Sequence, residues 1–247
     1  MGKNVKSGLG RVLAGALAVA ALATTAACGA GGDDAKGDAA KDAGAKPAAK
    51  ASASAKPELK PLSEAELTKV VITKDDAKGW RVGKTPDADI PDVSVPAKPA
   101  SCQAIADLFL LGTEPDAAAR VSRSLTSQKQ TDATVIRMAL LAHKEGDAKK
   151  VVADLRTQSE KCDSYEHTDY QYTGIKPLKA PALGDEAVAY SLTGKIDGET
   201  IPMAYTIVRS GSTLTVFYGM NVLDSKKAEV PAELIEAQVT KLEKAAK

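Results

Sequence analysis

Acid–base, metal and nucleophilic chemistry draw heavily on histidine and cysteine, and this 247-residue chain has two of the first and three of the second. Glu166, His167 and Asp169 bring metal-ligating types together. Strand alternation puts His167 and Asp169 on one face and Glu166 on the other, a poor zinc set without further histidine or free cysteine. The run reads as a solvated strand, with no metal and no cofactor. His143 ends another strand beside Lys144 and Glu145. Ser210-Gly211-Ser212 has the look of a nucleophile site, but a hairpin turn accounts for its glycine. No G-x-S-x-G elbow, P-loop or H-E-x-x-H motif is present. A hydrolase would have to take its base from one of the two histidines. Asp87, Asp89 and Asp92 cluster in a proline-rich stretch without the glycine and later glutamate of a calcium loop, and read as a solvated acidic loop. The expectation is a protein that is not an enzyme, with an envelope hydrolase as the least favoured alternative.

The cysteines carry a different message. Lys3, Lys6 and Arg11 precede an apolar run from Val12 to Ala23, and Thr24 to Ala27 supply small residues leading into Cys28. A short apolar stretch with a basic flank and a small-residue exit is a secretion signal, too short for a stable membrane span. A cysteine at the cleavage point resembles a bacterial lipoprotein signal, in which the Cys28 thiol is diacylated and becomes the new N-terminus. Thr25 stands where the usual lipobox prefers leucine, and simple secretion is the alternative. Acyl chains would hold the protein to the membrane at about 0.8 kcal/mol per buried CH₂. Loss of residues 1–27 removes three cations and takes the formal charge from +1 to about −2. That balance gives no reason to bind nucleic acid. Cys102 and Cys162 make an even pair in an exported chain and read as a disulfide. The loop of about 60 residues would be worth roughly 4 kcal/mol on the chain-entropy model. Two buried free thiols are the alternative.

Tyrosine is the remaining candidate. Asp197-Gly198 is a type I′ hairpin signal that pairs Ile196 with Glu199, and hence Tyr190 with Tyr205. Gly211-Ser212 suits a type II′ turn that pairs Ser210 with Thr213, and hence Tyr205 with Tyr218. The two turns place Tyr190, Tyr205 and Tyr218 in one cross-strand row, on a face shared with Val188, Leu192, Met203, Ile207, Leu214 and Val216. That face must be buried. One reading makes the row ordinary core. The other lets the phenol tips reach a ligand groove between sheet and helices. Trp80, the only tryptophan, is either an anchor in that groove or a core plug.

The elements that must position these residues are legible in outline. Residues 1–27 are the signal and 28–61 a disordered, lipid-anchored linker of Ala, Lys, Gly, Asp, Ser and Pro. Residues 62–247 form one folded domain. Leu62-Ser63-Glu64-Ala65-Glu66-Leu67 opens a helix with a capping box and a hydrophobic staple. Four prolines between 85 and 100 exclude a continuous helix. A short helix runs from Ser101 to Leu111, a third from an Asp147 cap to about Lys161, and a last from Pro231 to about Lys244. Strands are expected at 119–126, 132–143, 164–175 and in a meander over 185–221. Residues 132–143 are apolar on both faces and read as a central strand. The expected class is α+β, an antiparallel sheet of about six strands with helices packed on it.

Several stretches in order carry a resemblance: Lys78-Gly79-Trp80, Lys98-Pro99-Ala100-Ser101-Cys102, Gly146-Asp147-Ala148, Leu183-Gly184-Asp185-Glu186-Ala187, Val208-Arg209-Ser210-Gly211, and Ala237-Gln238-Val239-Thr240-Lys241-Leu242. The series resembles actinobacterial, streptomycete-type secreted lipoproteins of unknown function. It is more distantly similar to PknH-type extracellular sensor domains. The resemblance implies an antiparallel sheet flanked by helices, a cleft for an unidentified ligand, and no catalysis. Those sensor domains typically carry two disulfides; this chain offers one cysteine pair. The function expected is a non-catalytic ligand-binding or sensor-like module on the outer face of the cell membrane, with a protein-assembly role in the envelope as the alternative. Its partners would be the membrane, through the anchor, and an unknown small ligand or envelope protein.

Overall fold

Ser63 caps the first helix in both directions. Its hydroxyl accepts from the Glu66 N–H at 3.4 Å while its own N–H donates to Glu66 Oε2 at 2.8 Å. This computed structural model describes residues 59–86, 89–91, 94–224 and 228–245. Cys28, the signal and nearly all of the linker therefore lie outside the described residues. Helix α1 spans Glu64–Val70, α2 Gln103–Asp107 between 3₁₀ turns at Ala100–Cys102 and Leu108–Leu110, α3 Glu145–Lys161, and α4 Ala232–Ala245. Asp147 does not cap α3: the N-cap is Lys144, three residues earlier, and Asp147 lies within the first turn, where its charge suits the positive end of the helix. Two i,i+4 pairs, Glu145–Lys149 and Lys150–Asp154, brace its exposed side.

One open antiparallel sheet of eight strands, not six, forms the centre. The strands are β1 Trp80–Lys84, β2 Ala119–Ser127, β3 Thr134–Ala142, β4 Ser164–His167, β5 Tyr170–Leu178, β6 Glu186–Ile196, β7 Glu199–Ser210 and β8 Thr213–Asn221. Their order across the sheet is β1-β2-β3-β8-β7-β6-β5-β4. The count rises because β1 is a short edge strand and because 164–175 is a hairpin. Thr168 and Asp169, at φ 51° and 64°, turn the chain there without a glycine. Asp197 and Gly198, at φ 50° and 86°, and Gly211, at 61°, make the two meander turns. Pro202 fits inside β7 because the β7–β8 ladder begins only at Met203.

Helices cover the sheet on both sides. The tyrosine face, with Ala139 and Leu141 of β3, packs against α2 and α3. On the other face Ile136, Met138, Leu140, Val208 and Phe217 pack beneath α1 and α4. Strand β3, buried on both faces, is the expected central strand. Gly219 is required on this second face: a Cβ there would overlap the Ala228 carbonyl, where the chain crosses β8 on its way to α4. The Cys102–Cys162 disulfide joins the start of the α2 segment to the end of α3, with Cα atoms 5.7 Å apart.

Candidate functional site

The register pairs Tyr190 with Tyr205 and Tyr205 with Tyr218. Successive ring centroids lie 4.8 and 5.0 Å apart. Tyr190 and Tyr205 have no exposed surface and Tyr218 has 5%. Burial pushes the Tyr190 and Tyr205 phenols far above their ordinary pKa, so both stay neutral. A second stacked pair, Tyr165 and Tyr172 from the β4–β5 hairpin, has centroids 4.8 Å apart. Phe109 joins the two groups, 5.6 Å from Tyr172 and 6.1 Å from Tyr218. Tyr190 and Tyr205 are thus core. Trp80 is half-buried and packs with the cluster on the opposite side of the sheet, so it does not share a groove with the tyrosines.

Tyr218 alone reaches a cleft. A depression of about 430 Å³ opens beside it, floored by Phe109, Leu110, Leu111 and Met220 and roofed by Pro91 and Val95 of the proline-rich strap. The Tyr218 hydroxyl donates to the Phe109 carbonyl at 3.1 Å and so fixes one wall to the other. Arg137 stands directly across from Tyr218 in the β3–β8 register. Its Nη2 is 2.9 Å from Asp89 Oδ2, in a pair that ties the strap to the sheet. Asp89 is thus not simply solvated; Asp87 and Asp92 lie outside the described residues. The cleft is apolar at its floor and charged at its lip, a composition suited to a small ligand with one polar end. A signal for it was present, since Arg137 is the only charged residue in Thr134–Ala142.

The strap is held by its own network. Gln103 Nε2 donates to the Val95 carbonyl at 2.9 Å and to Asp107 Oδ1 at 2.8 Å, and Gln103 Oε1 accepts from the Ala97 N–H at 2.8 Å. Lys98 and Glu166 exchange backbone hydrogen bonds, which covers the outer edge of β4. His167 is consequently buried at 1% exposure rather than solvated. Burial lowers its pKa; the Asp107 charge and the Val95 backbone oppose the shift.

His143 is equally buried. Its backbone N–H donates to the Ser212 carbonyl at 2.8 Å, and its ring Nε2 lies 3.4 Å from Thr113 Oγ1. The Ser210 hydroxyl instead donates to Glu243, and that of Ser212 to the Lys60 carbonyl. No serine–histidine pair forms among the described residues, and the hydroxyl that the His143 ring meets is that of the buried Thr113. Nor do three His, Cys, Asp or Glu side chains among the described residues converge as metal ligands. No described helix is long and apolar enough to cross a membrane.

No family model matches the chain, and no curated protein matches it. Among solved structures, the extracellular domain of PknH from Mycobacterium tuberculosis is similar at 11% identity and a TM-score of 0.48, over 76% of this chain and 98% of that one. An uncharacterized protein of Mycobacterium smegmatis, the Rv0999 ortholog, is similar at 12% identity and a TM-score of 0.38, over 74% and 95%.

Proposed function

We propose that the protein is an extracytoplasmic, non-catalytic, sensor-like module, held at the outer face of the membrane by acyl groups on Cys28, that binds a small ligand in the cleft beside Tyr218. One observation carries this reading. The described chain enters at the β7–β8 turn, where Ser212 donates to the Lys60 carbonyl. The cleft lies at the other end of β8, about eight residues and roughly 27 Å away. A domain tethered at its entry end would present the cleft away from the membrane. The 28–61 linker supplies that reach.

A second reading, a docking role in envelope assembly, draws on Val222 and Leu223. They are 62% and 75% exposed and follow Met220 at the same end of the sheet. Native mass spectrometry of the exported chain separates the two. A reproducible added mass that vanishes on denaturation, and that Met220→Trp removes by filling the cleft, supports the ligand reading. A bare polypeptide, with crosslinks to an envelope protein near Leu223, replaces it with the second. Cys28→Ala should release the protein into the medium; continued membrane association would remove the anchor from the proposal.

A further inference from the structure

Two cations stand side by side at the first edge of the sheet. Lys84 ends β1 directly opposite Arg123 of β2, so their side chains share a face. Like charges in that position oppose strand pairing. Neither closes an ion pair with any described carboxylate. Arg123 uses one guanidinium nitrogen on its neighbour, the Ser122 carbonyl, at 2.8 Å. Its remaining donors have no hydrogen-bond partner among the described residues. Its pKa is drawn down by burial, the signature of a cation losing water without gaining an anion.

The space in front of the pair is shaped. Strand β1 stops at Lys84 while β2 continues back to Ala119 paired only with β3. The step leaves a pocket of about 430 Å³ lined by Lys84, Thr85, Arg120 and Arg123. Thr85 is 3% exposed, and its hydroxyl is buried without a partner. Glu64 and Thr68 of α1 form the far wall, and Glu64 reaches neither cation within ion-pair distance. An arginine fork, an ammonium and an orphaned hydroxyl around one polar cavity are the donors that an oxyanion needs.

We propose that this edge pocket binds an oxyanion, a phosphate or carboxylate group, between Lys84 and Arg123. The site is separate from the Tyr218 cleft and does not rest on it. The bound anion supplies the charge the strand pair lacks.

The test is calorimetric titration of the full exported chain with inorganic pyrophosphate and with citrate, at low and at physiological ionic strength. Saturable binding that weakens with salt is expected, with affinity falling at least tenfold in Arg123→Gln and in Lys84→Gln and unchanged in Lys179→Gln, an exposed lysine elsewhere. Lys84 is exposed, so its variant keeps the fold. Without anion, both pocket variants should melt higher by up to about 3 °C, because repulsion is relieved. Pyrophosphate alone binding would assign a phosphate ligand, and citrate alone a carboxylate. Failure of both probes to saturate, or an equal loss in all three variants, would overturn the site.

Discussion

Tyr190 and Tyr205 lie face to face across β6 and β7, their planes 8° apart, but only one hydroxyl has a partner. Tyr205 donates to Met203 Sδ at 3.7 Å, while the Tyr190 hydroxyl is buried and unmatched. An unsatisfied buried hydroxyl costs desolvation with nothing returned. Tyr190→Phe should therefore leave stability unchanged or raise it by up to about 1 kcal/mol, read from the urea midpoint at constant m-value. Destabilisation beyond about 1 kcal/mol would show that a buried water serves this phenol.

Closing the covalent loop between Cys102 and Cys162 restricts the unfolded chain more than it changes the folded one. Their separation of 60 residues corresponds to about 4 kcal/mol on the chain-entropy account. The double variant Cys102→Ala/Cys162→Ala should lose about that much, a large share of the stability of an ordinary domain. Peptide mapping without reductant should recover the two residues as one crosslinked species. Two alkylatable thiols in the native protein would contradict the bond.

Local turn chemistry explains which parts of this fold were legible. Asp197-Gly198 and Gly211-Ser212 each admit few turn geometries, so the pairing of Tyr190, Tyr205 and Tyr218 followed by counting outward from the turns. Ser63 and Glu66 marked α1 for the same reason. The Thr168-Asp169 turn was hidden because no glycine follows the aspartate to mark it, and the alternation ran through it. The edge strand β1 was hidden because five residues carry too little pattern. His167 looked solvated because what buries it, the strap at Lys98, comes from about 70 residues away in the chain. The cleft depends on such long-range placement too, since Phe109, Arg137 and Tyr218 belong to three separate segments.

Gln238 is another residue whose role appears only in three dimensions. It is fully buried on α4; its Oε1 accepts from the Ile72 N–H at 2.6 Å and its Nε2 donates to the Val70 carbonyl at 3.0 Å. One amide thereby satisfies both a donor and an acceptor where α1 ends. Gln238→Ala would orphan two buried backbone groups and open a cavity, and should cost about 3 kcal/mol. Lys241→Ala, one turn along, removes part-exposed contacts to Asp76 and to the Val71 carbonyl and should cost less, about 1 kcal/mol. Equal costs in thermal or urea unfolding would refute the primacy of the glutamine.

Acid should weaken the protein before its carboxylates titrate. His143 and His167 are each about 1% exposed, and burial is the leading cause holding both pKa values below the ordinary 6.5. Asp147 and Asp116 oppose the shift at His143, and Asp107 and the Val95 backbone at His167, without cancelling it. The unfolded chain therefore binds more protons than the native one in the interval below about pH 6.5, and stability rises with pH there. The contribution is complete above that value and is lost as pH falls through the depressed native pKa values. Urea midpoints should stay level from about pH 7 to 8 and fall from about 6.5 towards 5. His143→Gln and His167→Gln, each unable to gain the proton, should each flatten part of that fall even if they lower the plateau. A slope unchanged in both variants would assign the acid sensitivity to other groups.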